Sequence, residues 1–256
     1  MKFITQSEVR LGNCLEILPE YYGAQADLIL TSPPYFNQRE CAASGKYGEY
    51  TSIREYFDDM ERICWALWEI AKPGAIFAIN IGSDPDYDLP SWWSMMMEQK
   101  MGLKYIDRIA WLKGSGNVVR GFHIESHHKY YPFLAWEPVY IYHKNKSGTM
   151  EFPTFEDRFT DTISSLLRTN VWEIPQDNEA PWHPAPYPRK LAKNLIMCYS
   201  SANSIILDPF GGAMTTAVAT QEIGGGRKYL CCELNLEFYE RGQKRISSDS
   251  IQEGLF

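Results

Sequence analysis

The sequence predicts an α/β fold built on a doubly wound, mainly parallel sheet. Short apolar runs alternate with helix-period stretches along most of the chain, which is the pattern of strand–helix–strand units. The segment from Ile76 to Ile81 is apolar almost throughout, as expected of a strand covered on both faces. Two candidate strands run into turn residues, Thr31-Ser32-Pro33-Pro34 and Asp208-Pro209-Phe210-Gly211-Gly212. Tandem prolines cannot continue a central strand, so the chain leaves the sheet there.

The elements follow in order. Val9 to Leu11 and Ala26 to Leu30 read as the first two strands. Ser52 to Ala71 reads as a helix, because Ile53, Phe57, Met60, Cys64, Leu67 and Ala71 recur on one helical face. Ser52 is placed to cap its start, and Pro73-Gly74 is expected to stop it. Further strands are expected at Ile76 to Ile81, Tyr105 to Leu112 and Val139 to His143. Residues 145–182 lose this periodicity and are punctuated by Pro153, Pro175 and Pro181. The pattern then returns with a helix at Lys190 to Tyr199, a strand at Ser204 to Leu207 and a helix at Met214 to Glu222. A strand at Lys228 to Cys232 and a helix at Leu236 to Ile246 complete it. The sheet expected from these segments is seven-stranded.

Composition bounds the function. The chain has 256 residues, 45% hydrophobic and 22% charged. A chain of this length buries roughly three quarters of its unfolded surface and needs no metal or disulfide to hold a core. The net charge of −7 argues against a nucleosome-like wrapper or a basic tail, while leaving room for a local basic groove. Met1 to Arg10 contain no apolar run of signal-peptide length, and no apolar stretch approaches the ~20 residues of a membrane span. Cys14, Cys41, Cys64, Cys198, Cys231 and Cys232 show no CxxC spacing. They read as reduced, mostly buried thiols of a cytoplasmic protein rather than a zinc framework. Charge is uneven: residues 100–146 carry eight Lys and Arg against three acids, together with four of the five histidines, whereas residues 150–181 carry two basic residues against seven acids. Each run also reads as an ordinary solvated face.

Two sites carry chemistry. In Thr31-Ser32-Pro33-Pro34-Tyr35 the prolines fix φ and remove two N–H groups. The Ser32 and Pro33 carbonyls and the Ser32 hydroxyl are then free to accept the hydrogens of an exocyclic amino group, and Tyr35 offers a face for a planar base. The bland alternative is a strand that ends in a Pro-Pro turn with a packed tyrosine. In the second site, Ser204 to Asp208 leads through Gly211-Gly212 into a helix, a strand–glycine turn–helix cradle for a ligand. Glu233 ends the next strand about 20 residues on, the spacing at which dinucleotide folds hold ribose hydroxyls. The bland alternative there is a plain strand-to-helix loop. Together the sites suit a nucleoside-bearing cofactor beside a planar amine.

The chain resembles the S-adenosylmethionine-dependent amino-methyltransferases of DNA, in the permuted β-type order. The resemblance rests on Ser32-Pro33-Pro34-Tyr35, then His183-Pro184-Ala185-Pro186-Tyr187-Pro188, then Asp208-Pro209-Phe210-Gly211-Gly212 followed by Thr215-Thr216, and last Glu233-Leu234-Asn235. It covers nearly the whole chain except about 113–136 and 145–180. It implies a Rossmann-like, circularly permuted methyltransferase fold whose first strand lies beside its last. It also implies a catalytic and cofactor domain of residues 1–112 and 183–256, with 113–182 as inserted recognition loops that include a returning strand near 137–144.

Carried over to this sequence, the resemblance implies that Ser32, Pro33, Pro34 and Tyr35 are catalytic. It implies that Asn13, Cys14, Thr31, His183, Pro184, Asp208, Pro209, Phe210, Gly211, Gly212, Thr215, Glu233 and Leu234 surround S-adenosylmethionine. Glu233 is then expected on the ribose, Leu234, Asn13 and Cys14 by the adenine, and His183 and Pro184 at the methionine end. Lys113, Arg120 and Lys129, in or beside the polar stretch from Gly114 to Tyr131, are the candidates for double-stranded DNA. His123, His127 and His128 have no acid or cysteine placed to complete a metal site, and no metal is expected. A homodimer and a cognate restriction endonuclease are possible partners.

The expected activity is methyl transfer to an exocyclic amino group of a flipped base. Cytosine N4 is favoured over adenine N6, because Ser before Pro-Pro is more frequent in cytosine enzymes of the family. One departure stands out: where the family loop has a further glycine, this chain has Met214, which does not take positive φ cheaply. Weakened cofactor binding, or a DNA-binding relic without activity, is the consequence to test. Methylation of RNA or of a protein amide would use the same Ser-Pro-Pro-Tyr geometry. An oxidoreductase would use Gly211-Gly212 and Glu233 but leave Ser32 to Tyr35 unexplained.

Overall fold

A computed structural model describes residues 2–21, 23, 25–36, 50–82, 87–114, 136–144, 165, 168–177 and 179–253. Eight strands form one sheet: β1 Glu8–Leu11, β2 Ala26–Thr31, β3 Ala71–Asn80, β4 Lys104–Leu112, β5 Trp136–His143, β6 Val171–Glu173, β7 Ile205–Asp208 and β8 Lys228–Glu233. The helices are α1 Cys14–Ile17, α2 Ile53–Ile70, α3 Leu89–Met95, α4 Arg189–Tyr199, α5 Thr215–Ile223 and α6 Leu236–Glu253.

The strand order is β1-β8-β7-β2-β3-β5-β4-β6. All neighbouring pairs are parallel except the two made by β5. The first strand therefore lies beside the last, with Leu11 opposite Glu233, which is the permuted order expected. The sheet has one strand more than the seven expected. β6 is only three residues long and is recruited by pairing with Ala110 to Leu112 of β4, a long-range contact that leaves no periodicity in its own sequence.

Layering follows the strand alternation. Ile29, Phe77, Ile79 and Leu207 face α2, whose Tyr56, Met60, Ile63 and Leu67 are fully buried. Leu28, Leu30, Ala78 and Ile206 face the opposite layer with Leu191, Leu195 and Ile196 of α4. Helix α2 begins at Ser52, whose hydroxyl accepts the Glu55 N–H at 3.2 Å. Its end corrects the expectation. The chain turns from Ile70 straight into β3 at Ala71, and Pro73-Gly74 lie inside that strand, where the register to β2 shifts. Gly74 has φ +89° there, so the pair forms an irregularity in the strand rather than a helix stop. The short helix α3 continues into one π-helical turn, Met96–Lys100. The sequence does not predict it, because Pro90 and clustered aromatics mask any apolar face.

The topology positions the site. From β2 the chain crosses by way of α2 to β3 on one side, and from β7 by way of α5 to β8 on the other. Strands β2 and β7 are adjacent and parallel, with Leu28 opposite Ile206 and Ile29 opposite Leu207. Their carboxyl ends are thus a topological switch point, where doubly wound sheets open a crevice for ligands. Among the described residues no helix is long and apolar enough to cross a membrane.

Candidate active site

Both expected loops leave the sheet at this crevice. The Thr31 hydroxyl at the end of β2 donates to the Asp208 carboxylate at the end of β7 at 2.7 Å, joining positions 177 residues apart. Asp208 is fully buried and also accepts from Phe210 N–H (3.1 Å), Thr216 Oγ1 (2.5 Å) and Tyr187 Oη (3.4 Å). Burial raises its carboxyl pKa, against these donors, which favour the charged form. Tyr187, from the His-Pro-Ala-Pro-Tyr-Pro stretch, also hydrogen-bonds Thr216. One buried carboxylate therefore ties together three of the motifs that the sequence analysis singled out.

The loop after β7 is shaped by its own backbone. Gly211 N–H donates to Cys232 C=O and Gly212 N–H to the Glu233 carboxylate, both at 2.7 Å. Glu233 also accepts the Asn235 N–H at 2.7 Å. Burial raises its carboxyl pKa, against these amides, which favour the charged form. Gly212 has φ +51°, and a Cβ there would lie 2.8 Å from His183 Nε2, so the glycine is needed both for conformation and for close approach. Met214 does adopt the left-handed conformation, φ 59° and ψ 30°, a placement that costs about 1–2 kcal/mol for a residue with a Cβ. Its side chain is fully buried among Ala217, Tyr229 and Cys231, and such burial contributes a similar amount, about 1.5–3 kcal/mol. Two glycines make room for it: a Cβ on Gly211 would meet Met214 Sδ at 2.9 Å, and one on Gly242 would meet Cγ at 2.4 Å. The loop thus keeps its shape without the further glycine.

Part of the surface around the two loops stays open. Ser32, Tyr35, Phe210, Gly212, His183 and Leu234 vary in side chain but are all partly exposed or backbone-lined. His183 packs against Phe238 with ring centroids 4.8 Å apart. Burial and then Arg245 push its imidazole down to about 4, so it is neutral at pH 7. Glu233 keeps acceptor capacity beyond its amide partners Gly212, Leu234 and Asn235, since a carboxylate offers about four lone-pair directions.

Several residues expected at the cofactor also make bonds or contacts within the frame. Thr31 is spent on Asp208. Thr215 is 2% exposed and accepts from Arg245 at 3.1 Å. Cys14 is 2% exposed in the core under α2. Asn13 caps α1 by accepting the Leu15 N–H at 2.9 Å, next to Gly12, whose N–H donates to Glu233 C=O at 2.8 Å. Pro33 and Pro209 are buried, Pro34 is partly exposed and Pro184 is exposed.

Lys113 corrects a further expectation. It is 5% exposed and forms an ion pair with Glu137, with its ammonium 5.2 Å from the Trp111 ring. Its ammonium is thus paired inside the fold, through the carboxylate that also holds Tyr35. Glu137, 7% exposed, accepts from Tyr35 Oη at 3.2 Å and from Asn80 Nδ2 at 3.3 Å. Sequence reasoning missed Glu137 and Asn80; the one available signal was an acid and an amide inside otherwise apolar strands. Arg120, Lys129, His123, His127 and His128 lie outside the described residues. Among the described residues no three His, Cys, Asp or Glu side chains cluster as metal ligands, and the five described cysteines are free and buried.

Comparison with known proteins gives the same frame. A family model described as DNA methylase, of the N6/N4 type, matches residues 26–244. The Type II beta methyltransferase M.BslI of Bacillus sp. (strain NEB-606) is 26% identical over 258 residues, covering 94% of this chain and 27% of its own length. The chain thus spans about a quarter of that relative. Among solved structures, the cytosine-N4-specific PvuII DNA methyltransferase aligns with TM-score 0.73 at 18% identity, over 96% of this chain and 92% of that one. The M1.HpyAVI–SAM complex aligns with TM-score 0.62 at 20% identity, over 93% and 98%. At these identities the structural likeness speaks for the fold.

Proposed function

This chain belongs to the DNA methylase family of the N6/N4 type, and from that premise we propose that it transfers a methyl group from S-adenosylmethionine to an exocyclic amino group of a base in duplex DNA, cytosine N4 ahead of adenine N6. The observation that carries the reading is the Thr31–Asp208 hydrogen bond at the switch point. It holds the Ser-Pro-Pro-Tyr loop against the glycine loop, so that an amine acceptor and a nucleoside cradle share one crevice. The residues present fit the cofactor. Glu233 would take the ribose hydroxyls, Phe210 and Leu234 would pack on its flat and apolar parts, and Gly212 would let it approach the backbone. S-adenosylmethionine, named in the M1.HpyAVI complex, brings the methyl already activated on a sulfonium, so the protein supplies no nucleophile.

The chain's own work is positioning. An amino group conjugated to a ring is a poor nucleophile. Ser32 Oγ and the Pro33 carbonyl accept its two hydrogens and draw its lone pair out of conjugation. Bound S-adenosylmethionine would supply the methyl and carry away the bonding pair on sulfur, while Ser32 Oγ and the Pro33 carbonyl would hold the amino hydrogens, one of which is given up as a proton. Alignment of this kind supplies several kcal/mol, up to ~10 in ideal cases. The base reaches the site by leaving the stack, and the Tyr35 face repays part of that cost. A neutral His183 would add no positive charge at the methionine end of the cofactor. Cytosine is favoured because serine precedes Pro-Pro; residues 113–182 are the proposed recognition stretch.

The experiment is transfer of labelled methyl to unmethylated duplex DNA, with digestion to nucleosides. Label on N4-methylcytosine supports the full reading, and label on N6-methyladenine keeps the enzyme class while overturning the base. Label only on RNA or protein, or none at all from folded protein that binds the cofactor, overturns the proposal.

A further inference from the structure

One arginine ties the turn before the His-Pro stretch to the glycine loop. Arg245 of α6 donates from Nη1 to Ala213 C=O at 2.8 Å and to Thr215 Oγ1 at 3.1 Å, and from Nη2 to Glu179 Oε2 at 2.8 Å. Its side chain is 10% exposed, and its Nε finds no partner among the described residues. The guanidinium also sits at Thr215, the first residue of α5, where a cation opposes the helix dipole. An arginine placed so is a costly device for stability alone. The Glu179 carboxylate supplies the compensating charge. Glu179 Oε2 also accepts from Arg189 Nε at 2.6 Å, and the Arg189 N–H donates to Asp177 at 2.9 Å. Arg189 further pairs with Glu222 of α5. One carboxylate and two arginines thus join α4, α5 and α6 at the start of the segment that carries His183.

The same segment fixes which nitrogen of His183 carries the proton. Ala180, 1% exposed, accepts the His183 N–H at 2.9 Å, so the histidine follows the turn that begins at Glu179. His183 Nδ1 accepts the Ala185 N–H at 3.3 Å. In a neutral imidazole one nitrogen accepts and the other donates, which puts the proton on Nε2. That is the atom against the glycine loop, 2.8 Å from where a Cβ on Gly212 would lie. Phe238 of α6 covers the ring.

Resting on the methyltransferase reading above, we infer that Glu179 and Arg245 are positioning residues that clamp residues 179–189 to the glycine loop, so that His183 walls the cofactor crevice at Gly212 with its Nε2–H towards the turn. The bonds of the clamp run to α4, α5 and the glycine loop rather than to the Ser-Pro-Pro-Tyr loop, which separates its effect from that on the acceptor amine.

The test is Glu179→Ala in the full chain. S-adenosylmethionine should bind about 5- to 10-fold more weakly by calorimetry, as expected when the binding-competent arrangement becomes a minor population. Methyl transfer at saturating cofactor should stay within about twofold. Glu179→Gln, which keeps one acceptor oxygen, should lie between Glu179→Ala and wild type. In a His183→Ala background, Glu179→Ala should weaken binding no further, since the clamp then has nothing to position. A further readout needs no cofactor. The His183 ring signals, followed by NMR, should titrate near 4 in wild type and move towards the ordinary 6.5 in Glu179→Ala. Wild-type affinity in Glu179→Ala, a further loss in the His183→Ala background, or an unmoved His183 titration would each overturn the inference. If Glu179→Ala does not fold, Glu179→Gln decides by the same readouts. A wild-type protein that binds no S-adenosylmethionine would overturn the methyltransferase reading, and the His183 titration would then decide the clamp alone.

Discussion

The loop after β2 and the loop after β7 meet at one crevice but are held in opposite ways. The glycine loop is shaped from within: its amides donate to Cys232 and Glu233, and Met214 turns its backbone left-handed. The Ser-Pro-Pro-Tyr loop is stiff through its prolines, yet its tyrosine hydroxyl is held from outside, by Glu137 on β5 with Lys113 and Asn80 behind it. One loop is fixed by its own backbone amides, the other by a carboxylate from a distant strand that holds its tyrosine. Asp208 is the single group common to both.

The largest effect expected on this comparison comes from that shared group. Asp208→Ala leaves the Thr31, Thr216 and Tyr187 hydroxyls and the Phe210 N–H without their buried acceptor. A loss of about 3–5 kcal/mol in urea unfolding is expected, along with weaker cofactor binding. A loss under about 1 kcal/mol would show that the two loops are held independently.

Next comes the left-handed residue. Met214→Ala should cost about 2–4 kcal/mol for the emptied space, whereas Met214→Gly should cost about 1 kcal/mol less, because it recovers the backbone strain. Elsewhere in helical proteins glycine is the worse of the two, so the order of these variants is diagnostic. Gly242→Ala, whose Cβ would meet Met214 Cγ at 2.4 Å, should cost about 1–3 kcal/mol in wild type and much less in Met214→Gly. Equal costs in both backgrounds would remove Met214 from the account of the loop.

The smallest effect is on pH. The His183 pKa, about 4 in the fold against the ordinary 6.5, means that the unfolded chain binds more protons between those values. Stability from this group is complete above pH 6.5 and is lost as pH falls towards 4. A difference of about 2 kcal/mol is expected between wild type and His183→Asn in that window, after allowing for partial solvent contact. Identical pH profiles would place His183 in solvent rather than on the glycine loop.

What the sequence showed, and what it did not, divides along the same line. Tandem prolines, a glycine pair and an acid at a strand end are local backbone signals, and the loops they mark do leave the sheet at those positions. The α2 face was legible from its apolar period, whereas the pairing of the first strand with the last was expected from the family resemblance alone. Glu137, Asn80 and Lys113 were not, because their roles depend on Tyr35, which lies 102 residues from Glu137. Lys113 reads as part of a basic stretch although its partner lies 24 residues on, in the next strand. Strand β6 exists only through β4. Thr31 and Asp208 were expected at the cofactor from the family resemblance; their side chains hydrogen-bond one another, and Asp208 also accepts from Phe210, Thr216 and Tyr187, pairings that no local pattern announces.

The central claim is that the serine of the first loop holds the acceptor while the second loop holds the cofactor. Ser32→Ala separates the two roles most directly. S-adenosylmethionine affinity by calorimetry should match wild type, while single-turnover methyl transfer to duplex DNA should fall at least about 100-fold. A wild-type rate in Ser32→Ala with unchanged cofactor affinity would contradict the account.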